Sequence, residues 1–572
     1  MRELATDLLI LGSGGAGLFA ALHAHQASPD LKITVAVKGL LGKCGCTRMV
    51  QGGYNVALAK EDSVERHFMD TIEGGKWLPD QDLAWKLVTL AVERIRELEN
   101  ELGCFFDRNP DGTVHQKAFA GQTFDRTVHK GDLTGIEIIN RLAEQVWARN
   151  IARLEEHRAV ELIKAKNEER ISGVLFIDMR DGEYVFVRAK AVLLATGGGP
   201  TMYKYHTPSG DKSCDGLAMA LRAGLPLRDM EMVQFHPTGL LAGTHTRMTG
   251  TVLEEGLRGA GGHLLNGAGE RFMPHYDPMA ERATRDLVSR AMYMEMRKGR
   301  TSANGGLYIS MKHLDQGQVR REFRGMVERC ADCGFDLAAG LVEVVPTAHY
   351  MMGGVEFAAD CTTELKGLFV AGEDAGGVHG ANRLGGNGVA NSTVFGAVAG
   401  DTMAEWVRGE RSFCDPDLSQ IEKGISECEK PFKAKTSLVE PIRDRLYEVM
   451  WQKVGIIRDD AGLRSALSEL KSLDEELERT GVADGNRAFN LTWHDWLNLK
   501  SLVQTSRVIT EAALARTDSR GAHFREDFPE PGSIETSAFT SLTQVEDDLK
   551  IDMKPVRFTR VRPGQSLLGK AA

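Results

Sequence analysis

Gly12-Ser13-Gly14-Gly15-Ala16-Gly17 is a glycine run of the kind that cradles phosphate groups. Gly12 permits a tight turn, Gly14 with Gly15 lets the backbone approach a pyrophosphate, and Gly17 lets a helix pack closely on its strand. A helix starting here offers free N–H groups and the positive end of its dipole to the phosphates. Nine cysteines add two further candidates, Cys44-Gly45-Cys46 and the CxxC pair Cys330 and Cys333. The CxxC has no second pair and no nearby histidines, so it lacks the ligands that a zinc or cluster site needs. No metal site is expected. The odd cysteine count, without framework spacing, reads as free thiols in a reducing compartment.

The elements that must position the glycine run are legible around it. Residues 6–11 read as a short buried strand, the run opens a helix, and residues 33–37 form a second β-branched strand. This is the dinucleotide-binding strand–helix–strand unit. The acid that usually holds a ribose hydroxyl about 20 residues further on is missing, because Val37-Lys38 stands there, and this argues against ordinary NAD binding. Two more buried strands end in glycine turns, at 191–199 and 367–372. Three such switches far apart in sequence suggest one sheet assembled from distant segments and a long ligand, which FAD fits.

Helices are expected at 83–101 and 134–150, strands across 158–195, and helices again through 417–515. The tail carries strand-like stretches such as 556–559. The fold class expected is α/β: a Rossmann-like FAD-binding domain with an inserted α+β capping domain and a C-terminal helical domain. The domains are 1–235 with 351–400 for FAD binding, 236–350 for the cap, 401–525 for the helical unit and 526–572 for the tail.

The chain has 572 residues, with 42% hydrophobic and 26% charged, as ordinary globular proteins do. Its net charge of −10 gives no basic face for nucleic acid. Asp7 inside the first apolar run argues against a signal peptide, and no stretch reaches the roughly 18 apolar residues of a spanning helix. The expectation is a cytoplasmic protein, or one held at the inner membrane through a partner, without membrane insertion of its own.

Several motifs in order give the chain a specific likeness. They are Gln51-Gly52-Gly53, Asp215-Gly216, Gln234-Phe235-His236-Pro237-Thr238-Gly239, Glu255 to Arg258, and 266–273. His349-Tyr350-Met351-Met352-Gly353-Gly354, Gly380 to Asn387, and Ser519 to Pro529 complete the set. With these, residues 5–530 resemble the flavoprotein subunit of the succinate dehydrogenase and fumarate reductase family, with L-aspartate oxidase as a more distant relative.

The resemblance implies hydride transfer between a substrate carbon and flavin N5, with a proton moved on the adjacent carbon. By motif position Arg285 matches the acid/base arginine, and Glu255 with Arg258 matches the relay that exchanges its proton with solvent. His236, His349 and Arg383 match the ligands of the substrate carboxylates. Glu373 matches a ribityl contact, and Asp215, Gln51 and the Ala195-Thr196-Gly197 turn match further FAD contacts. Lys38, Cys46, Thr47, Gly52, Gly53, Gly386 and Asn387, with Arg383 again, complete the cofactor-binding set. A lone histidine or helical arginine is ordinarily structural; it is the ordered motifs that single these out. His379, Arg271 and Asn382, in the same motifs, read as structural. The family also implies a partner, an iron–sulfur electron-transfer subunit, and a small carboxylate as substrate.

Two positions depart from the family. Cys46 stands where many members carry the histidine that links flavin covalently, so noncovalent FAD is expected over a cysteinyl link, and with it a tilt toward reducing a double bond or oxidising an easier substrate. Glu254 stands where members usually carry a threonine that donates to a substrate carboxylate. An ionised Glu254 would repel that carboxylate by several kcal/mol in a low-dielectric site. Three readings stay open: Glu254 is protonated, it turns away, or the substrate is not a plain C4 dicarboxylate. The alternatives to a dehydrogenase or reductase are a stand-alone enzyme like L-aspartate oxidase and a flavin-binding subunit without turnover.

Overall fold

Leu8, Leu9, Ile10 and Leu11 are all buried, so the strand they form shows no polar alternation and must lie in a sheet covered on both faces. In the computed structural model, the described residues are all but Asn150, Thr244, His245, Glu410, Arg411, Asp547 and Gly569–Ala572. The main sheet comprises β1 (Arg2–Leu11), β2 (Ile33–Val37), β3 (Ala152–Glu155), β4 (His157–Lys164), β5 (Ile171–Asp178), β6 (Tyr184–Leu194) and β7 (Leu368–Val370). Its order is β3-β2-β1-β6-β5-β4, with β7 beside the last residues of β6. Strands β1, β2, β3, β6 and β7 pair in parallel. Leu194 is in register with both Leu11 and Val370. The three strand-to-glycine segments therefore end level, which is where α/β sheets bind ligands.

Three helices frame that edge and the inserted sheet: α1 (Gly15–Ala27), α2 (Arg285–Arg297) and α3 (Asn387–Gly409). Helices α1 and α3 cross closely because small residues face each other. A Cβ at Gly396 would lie 2.6 Å from Ala16 O, and one at Gly400 would lie 2.8 Å from His23 Cβ.

The chain leaves and rejoins the main body along paired antiparallel strands, Val233–Leu240 and Val342–Met351. Leu307–Ser310 and His263–Leu265 extend that second sheet. It has an apolar core of its own, in which Val288 and Met292 of α2 pack with Leu240, Leu307 and Val344. The α/β class with an α+β insertion and a helical C-terminal region is thus the observed architecture.

The helical region comprises Leu418–Lys433, Glu440–Lys453, Asp460–Glu478 and Leu491–Ala515. The helices expected at 83–101 and 134–150 are Gln81–Asn100 and Thr134–Ala148; residue 150 lies outside the described residues. The strand-like stretch at 556–559 is not a strand: the tail's ladder is Ala538–Val545 against Asp548–Pro555. The Val556 N–H still donates to Ser537 O at 2.8 Å, but beyond it the stretch to 559 is irregular because no partner strand continues among the described residues. Among the described residues, no helix is long and apolar enough to cross a membrane.

Arg516, just past the last long helix, holds these parts together. Its Nε donates to Glu231 at 2.6 Å, and its other nitrogens lie 3.4 Å from Asp229 and 3.4 Å from Asp518. Thr540 of the tail donates to the second Glu231 oxygen at 2.7 Å. Removing one member of a buried charge cluster leaves the others uncompensated, at roughly 3–5 kcal/mol. Arg516→Met is expected to lower stability by that amount in chemical denaturation; a loss below about 1 kcal/mol would show that the acids find another partner.

Candidate active site

The glycine turn is built as its spacing requires. Gly12 has φ +112°, a conformation that L side chains rarely adopt, and a Cβ there would collide with the Ala195 carbonyl. A Cβ at Gly17 would strike the Gly12 carbonyl, so Gly17 serves helix packing and does not face the cavity. The Gly15 N–H donates to Thr47 Oγ1 at 3.1 Å, which ties the segment carrying Cys46 to the start of α1. At the end of β2, Lys38 Nζ donates to Asp215 at 2.8 Å, and Arg158 grips the other Asp215 oxygen at 2.9 Å. Burial favours the neutral acid, yet Arg158 and Lys38 together hold Asp215 well below the usual carboxylate range.

At the second and third turns, Asp374 accepts from the Thr196 N–H, the Thr196 hydroxyl and the Gly197 N–H. Its neighbour Glu373 accepts from Met351 N–H at 2.9 Å and Gly199 N–H at 3.3 Å. Gly386, at φ +88°, leaves no room for a Cβ beside Asn55. Asn387 does not reach the ligand space. Its Oδ1 accepts from Asn55 and His67, each at 2.9 Å, and its Nδ2 donates to Thr71 at 3.2 Å. Every polar atom of the Asn387 side chain is engaged in the scaffold.

At the far end the inserted sheet brings charges together. Arg285, the first residue of α2, donates from Nε and Nη2 to Glu255 Oε2, at 3.1 and 2.6 Å. Glu255 Oε1 accepts from Arg258 at 3.1 Å. Arg258 also donates to Glu281 O at 2.6 Å and lies behind Glu255, away from the cavity. Burial pushes Glu255 up, but Arg285 and Arg258 outweigh it and keep the carboxyl below its ordinary value.

Arg383 lies across from this chain of charges, its guanidinium 4.3 Å from the centre of the Tyr350 ring. Its Nε is buried and has no hydrogen-bond partner among the described residues. Burial and the nearby Arg285 pull it down to about 10. His236 and His349 sit 5.4 Å apart, ring centre to ring centre. Both are held neutral by burial and by the arginines around them. The Thr238 N–H donates to His236 Nδ1 at 3.3 Å, which leaves the ring proton on Nε2. Gln234 connects the two arginines: its Oε1 accepts from Arg285 at 3.1 Å, and its Nε2 donates to Arg383 O at 2.7 Å.

One cavity of about 560 Å³ runs from Gly12 to Arg285. All but three of the residues singled out in the sequence line it; Gly17, Asn387 and Arg258 do not. Gln234, Asp374, Arg158 and Lys212 were not singled out as site residues. Gln234 lies inside the 234–239 motif, and Asp374 next to Glu373, but neither spacing nor type marks them. Lys212, whose Nζ donates to Thr196 O at 2.8 Å, sat in no motif. His379, Arg271 and Asn382 stand outside the cavity lining: Arg271 pairs with Glu281, and Asn382 accepts from Gln234 at 3.0 Å.

The observations fit an extended dinucleotide: a cavity walled by glycine at three level strand ends, a helix N-terminus, and a buried Gln51 Oε1 without a partner among the described residues. Such a fold, with cationic groups at one end of the cleft, defines a dinucleotide-dependent oxidoreductase. Residues 7–389 match the FAD binding domain family, and 443–567 match the fumarate reductase flavoprotein C-terminal family. The chain belongs to the flavoprotein family of fumarate reductases and succinate dehydrogenases, and FAD is its cofactor. It is 41% identical over 536 residues to a subunit of the fumarate reductase (CoM/CoB) of Methanothermobacter marburgensis, covering 92% of this chain and 94% of that protein. It is 32% identical to the fumarate reductase flavoprotein subunit of Escherichia coli, over 100% and 97% of the two chains. A solved quinol-fumarate reductase with menaquinol molecules superposes with a TM-score of 0.93 at 32% identity, over 98% of this chain and 100% of that one.

Asp215→Asn would leave Lys38 and Arg158 without their shared counter-charge, a loss of roughly 2–4 kcal/mol. Because the native acid is depressed, its contribution is complete above about pH 4 and is lost only as pH falls through its folded value. The stability difference between wild type and variant should therefore stay flat from pH 5 to 8 in urea titrations; a slope there would assign the effect to another group.

Proposed function

We propose that this chain reduces the double bond of fumarate or a close relative, or runs the reverse oxidation, with electrons exchanged through a separate iron–sulfur subunit. FAD supplies the hydride acceptor and donor at its N5. The observation that carries the reading is the cluster of Arg285, Arg383, His236 and His349 around one end of the cavity, with a single carboxylate, Glu255, committed to Arg285.

Each residue has a task that its surroundings support. Arg383 offers a dry, unsatisfied guanidinium to a carboxylate, which can take two parallel hydrogen bonds from it. Neutral His236 and His349 can donate to an anion without adding charge. Arg285, held by Glu255 and Gln234, presents its outward N–H groups where a proton must be delivered to carbon. Arginine is strongly basic, so it can act only if the proton is replaced at once. Glu255, ionised and bonded to both arginines, is placed to pass one from Arg258.

Binding of FAD without a covalent bond is part of the proposal. Burial, with Glu373 nearby, pushes the Cys46 thiol up to about 12, so the reactive thiolate is scarce at neutral pH. That the relatives are named as subunits supports a separate electron carrier.

Mixing anaerobically reduced protein with fumarate should reoxidise the flavin. Arg285→Lys should cut that rate by roughly 10²–10⁴-fold with the flavin retained; a rate within threefold of wild type would remove Arg285 from the mechanism. Acid precipitation should leave all of the flavin in the supernatant, and flavin retained in the pellet would establish a covalent link instead.

A further inference from the structure

Glu254 is an acid in the wall of a pocket otherwise arranged for anions. It is 5% exposed and lines the same cavity as Arg285, His236 and Arg383. An uncompensated carboxylate here would repel any anionic ligand through a low-dielectric medium. Its surroundings are specific. Lys117, in the strand Gln116–Lys117, places Nζ 3.3 Å from Glu254 Oε2. The same ammonium donates to Gly131 O at 3.4 Å and lies 5.8 Å from the centre of the Phe119 ring, itself part of the cavity wall. The other oxygen, Oε1, turns back toward Gly256, where an added Cβ would lie 2.7 Å from it.

Three further charged groups bear on Glu254. Arg329, on the helix Arg324–Asp332, lines the cavity and donates to Val252 O at 3.0 Å. Asp132 adds a like charge from the loop before Thr134–Ala148. Glu255 is spent on Arg285 and Arg258. Burial raises Glu254 above its ordinary value and Asp132 adds to this, while Lys117 and Arg329 oppose it. Lys117 is the only one of these cations that the structure places in direct ion-pair contact with Glu254 among the described residues.

We propose that Lys117 is a positioning residue for substrate binding: it holds Glu254 as one half of an ion pair turned off the ligand, so that a plain C4 dicarboxylate is accepted despite the acid. The inference rests on the function proposed above and deepens it. With Lys117 in place, the Glu254 pair is neutral, the Arg285–Glu255–Arg258 chain carries one net positive charge, and Arg383 carries another. Those two positive charges, with Arg329 also in the cavity wall, then face a ligand with two negative ones. Without Lys117, Glu254 cancels one of them, and dicarboxylate binding becomes tied to the protonation of Glu254. Of the readings that the sequence leaves open for Glu254, this selects the one in which it turns away.

The test uses FAD-loaded wild type, Lys117→Met, Glu254→Gln and the double variant; methionine keeps an unbranched stem over Phe119. Fumarate binding to the oxidised protein is read from the flavin absorbance change, and kcat and KM from flavin-linked turnover, between pH 6 and 8.5. Lys117→Met should raise Kd and KM about tenfold at pH 8 with kcat within twofold, and the defect should shrink toward pH 6 as Glu254 takes up a proton. Adding Glu254→Gln should restore binding to within about threefold of wild type, and Glu254→Gln alone should not weaken it. Unchanged Kd in Lys117→Met, or a defect that persists in the double variant, would overturn the inference alone. Wild-type protein that binds no C4 dicarboxylate would overturn the functional reading, and this inference with it.

Discussion

The constraint on which the site depends is the crowding of positive charge in a place with little water. Arg258, Arg285 and Arg383 are each less than a tenth exposed, and among the described residues Glu255 is the one carboxylate bonded to two of them. Ionised groups are costly to bury unless they are paired and hydrogen-bonded. The surrounding choices reflect that cost. The histidines are kept neutral, because burial and the arginines oppose a fourth or fifth cation there. Gln234 contributes an acceptor to one arginine and a donor to the other's backbone, which fixes their spacing without adding charge. The buried Arg383 Nε, without a partner among the described residues, is then a donor that a bound anion would satisfy.

The main sheet makes the opposite end equally exacting, by geometry instead of charge. Three strands separated by up to about 360 residues in sequence end at the same level, each followed at once by a tight glycine-rich turn. Acids then rigidify the turns from behind: Asp374 gathers Thr196 and Gly197, and Glu373 gathers Met351 and Gly199. Since Met351 ends a strand of the inserted sheet, Glu373 also links the two sheets across the cleft.

How much of this could be read from the sequence differs by kind of residue. Turns that only glycine can make leave a signature in the residue type itself, so Gly12, the 195–199 turn and the 367–372 turn were legible as one ligand-binding edge. The class of fold came from the alternation of buried strands and helices around them. The cationic end was legible only by resemblance, because an arginine or histidine has the same appearance on a solvated helix as in a pocket. Residues that act by bonding to other residues were the least legible. Gln234, Asp374, Arg158 and Lys117 matter through Arg285, Thr196, Asp215 and Glu254, each 51 or more positions away, and no local spacing encodes such a pair. Asn387 shows the converse: it belongs to a motif that borders the ligand, yet all its hydrogen bonds run backward into the scaffold. The strand-like stretch at 556–559 misled because β-branched composition marks a segment able to pair, not one that has a neighbour to pair with.

The close crossing of α1 by α3 carries an implication for how the molecule is made. The first of these helices emerges early in synthesis, but the face on which it rests, and the short strand that completes the sheet edge, lie beyond residue 367. A growing chain of 300 residues already has its phosphate-cradling loop but only the two outer strands of its inserted sheet, which do not pair with each other, and it has no floor beneath that loop and no Arg383. Cofactor capture therefore belongs to the closing stage of folding, when the late segment docks against the early one. From then on, the late segment serves both ends of the cleft, with Glu373 beside the strand-end turns and Arg383 at the cationic end.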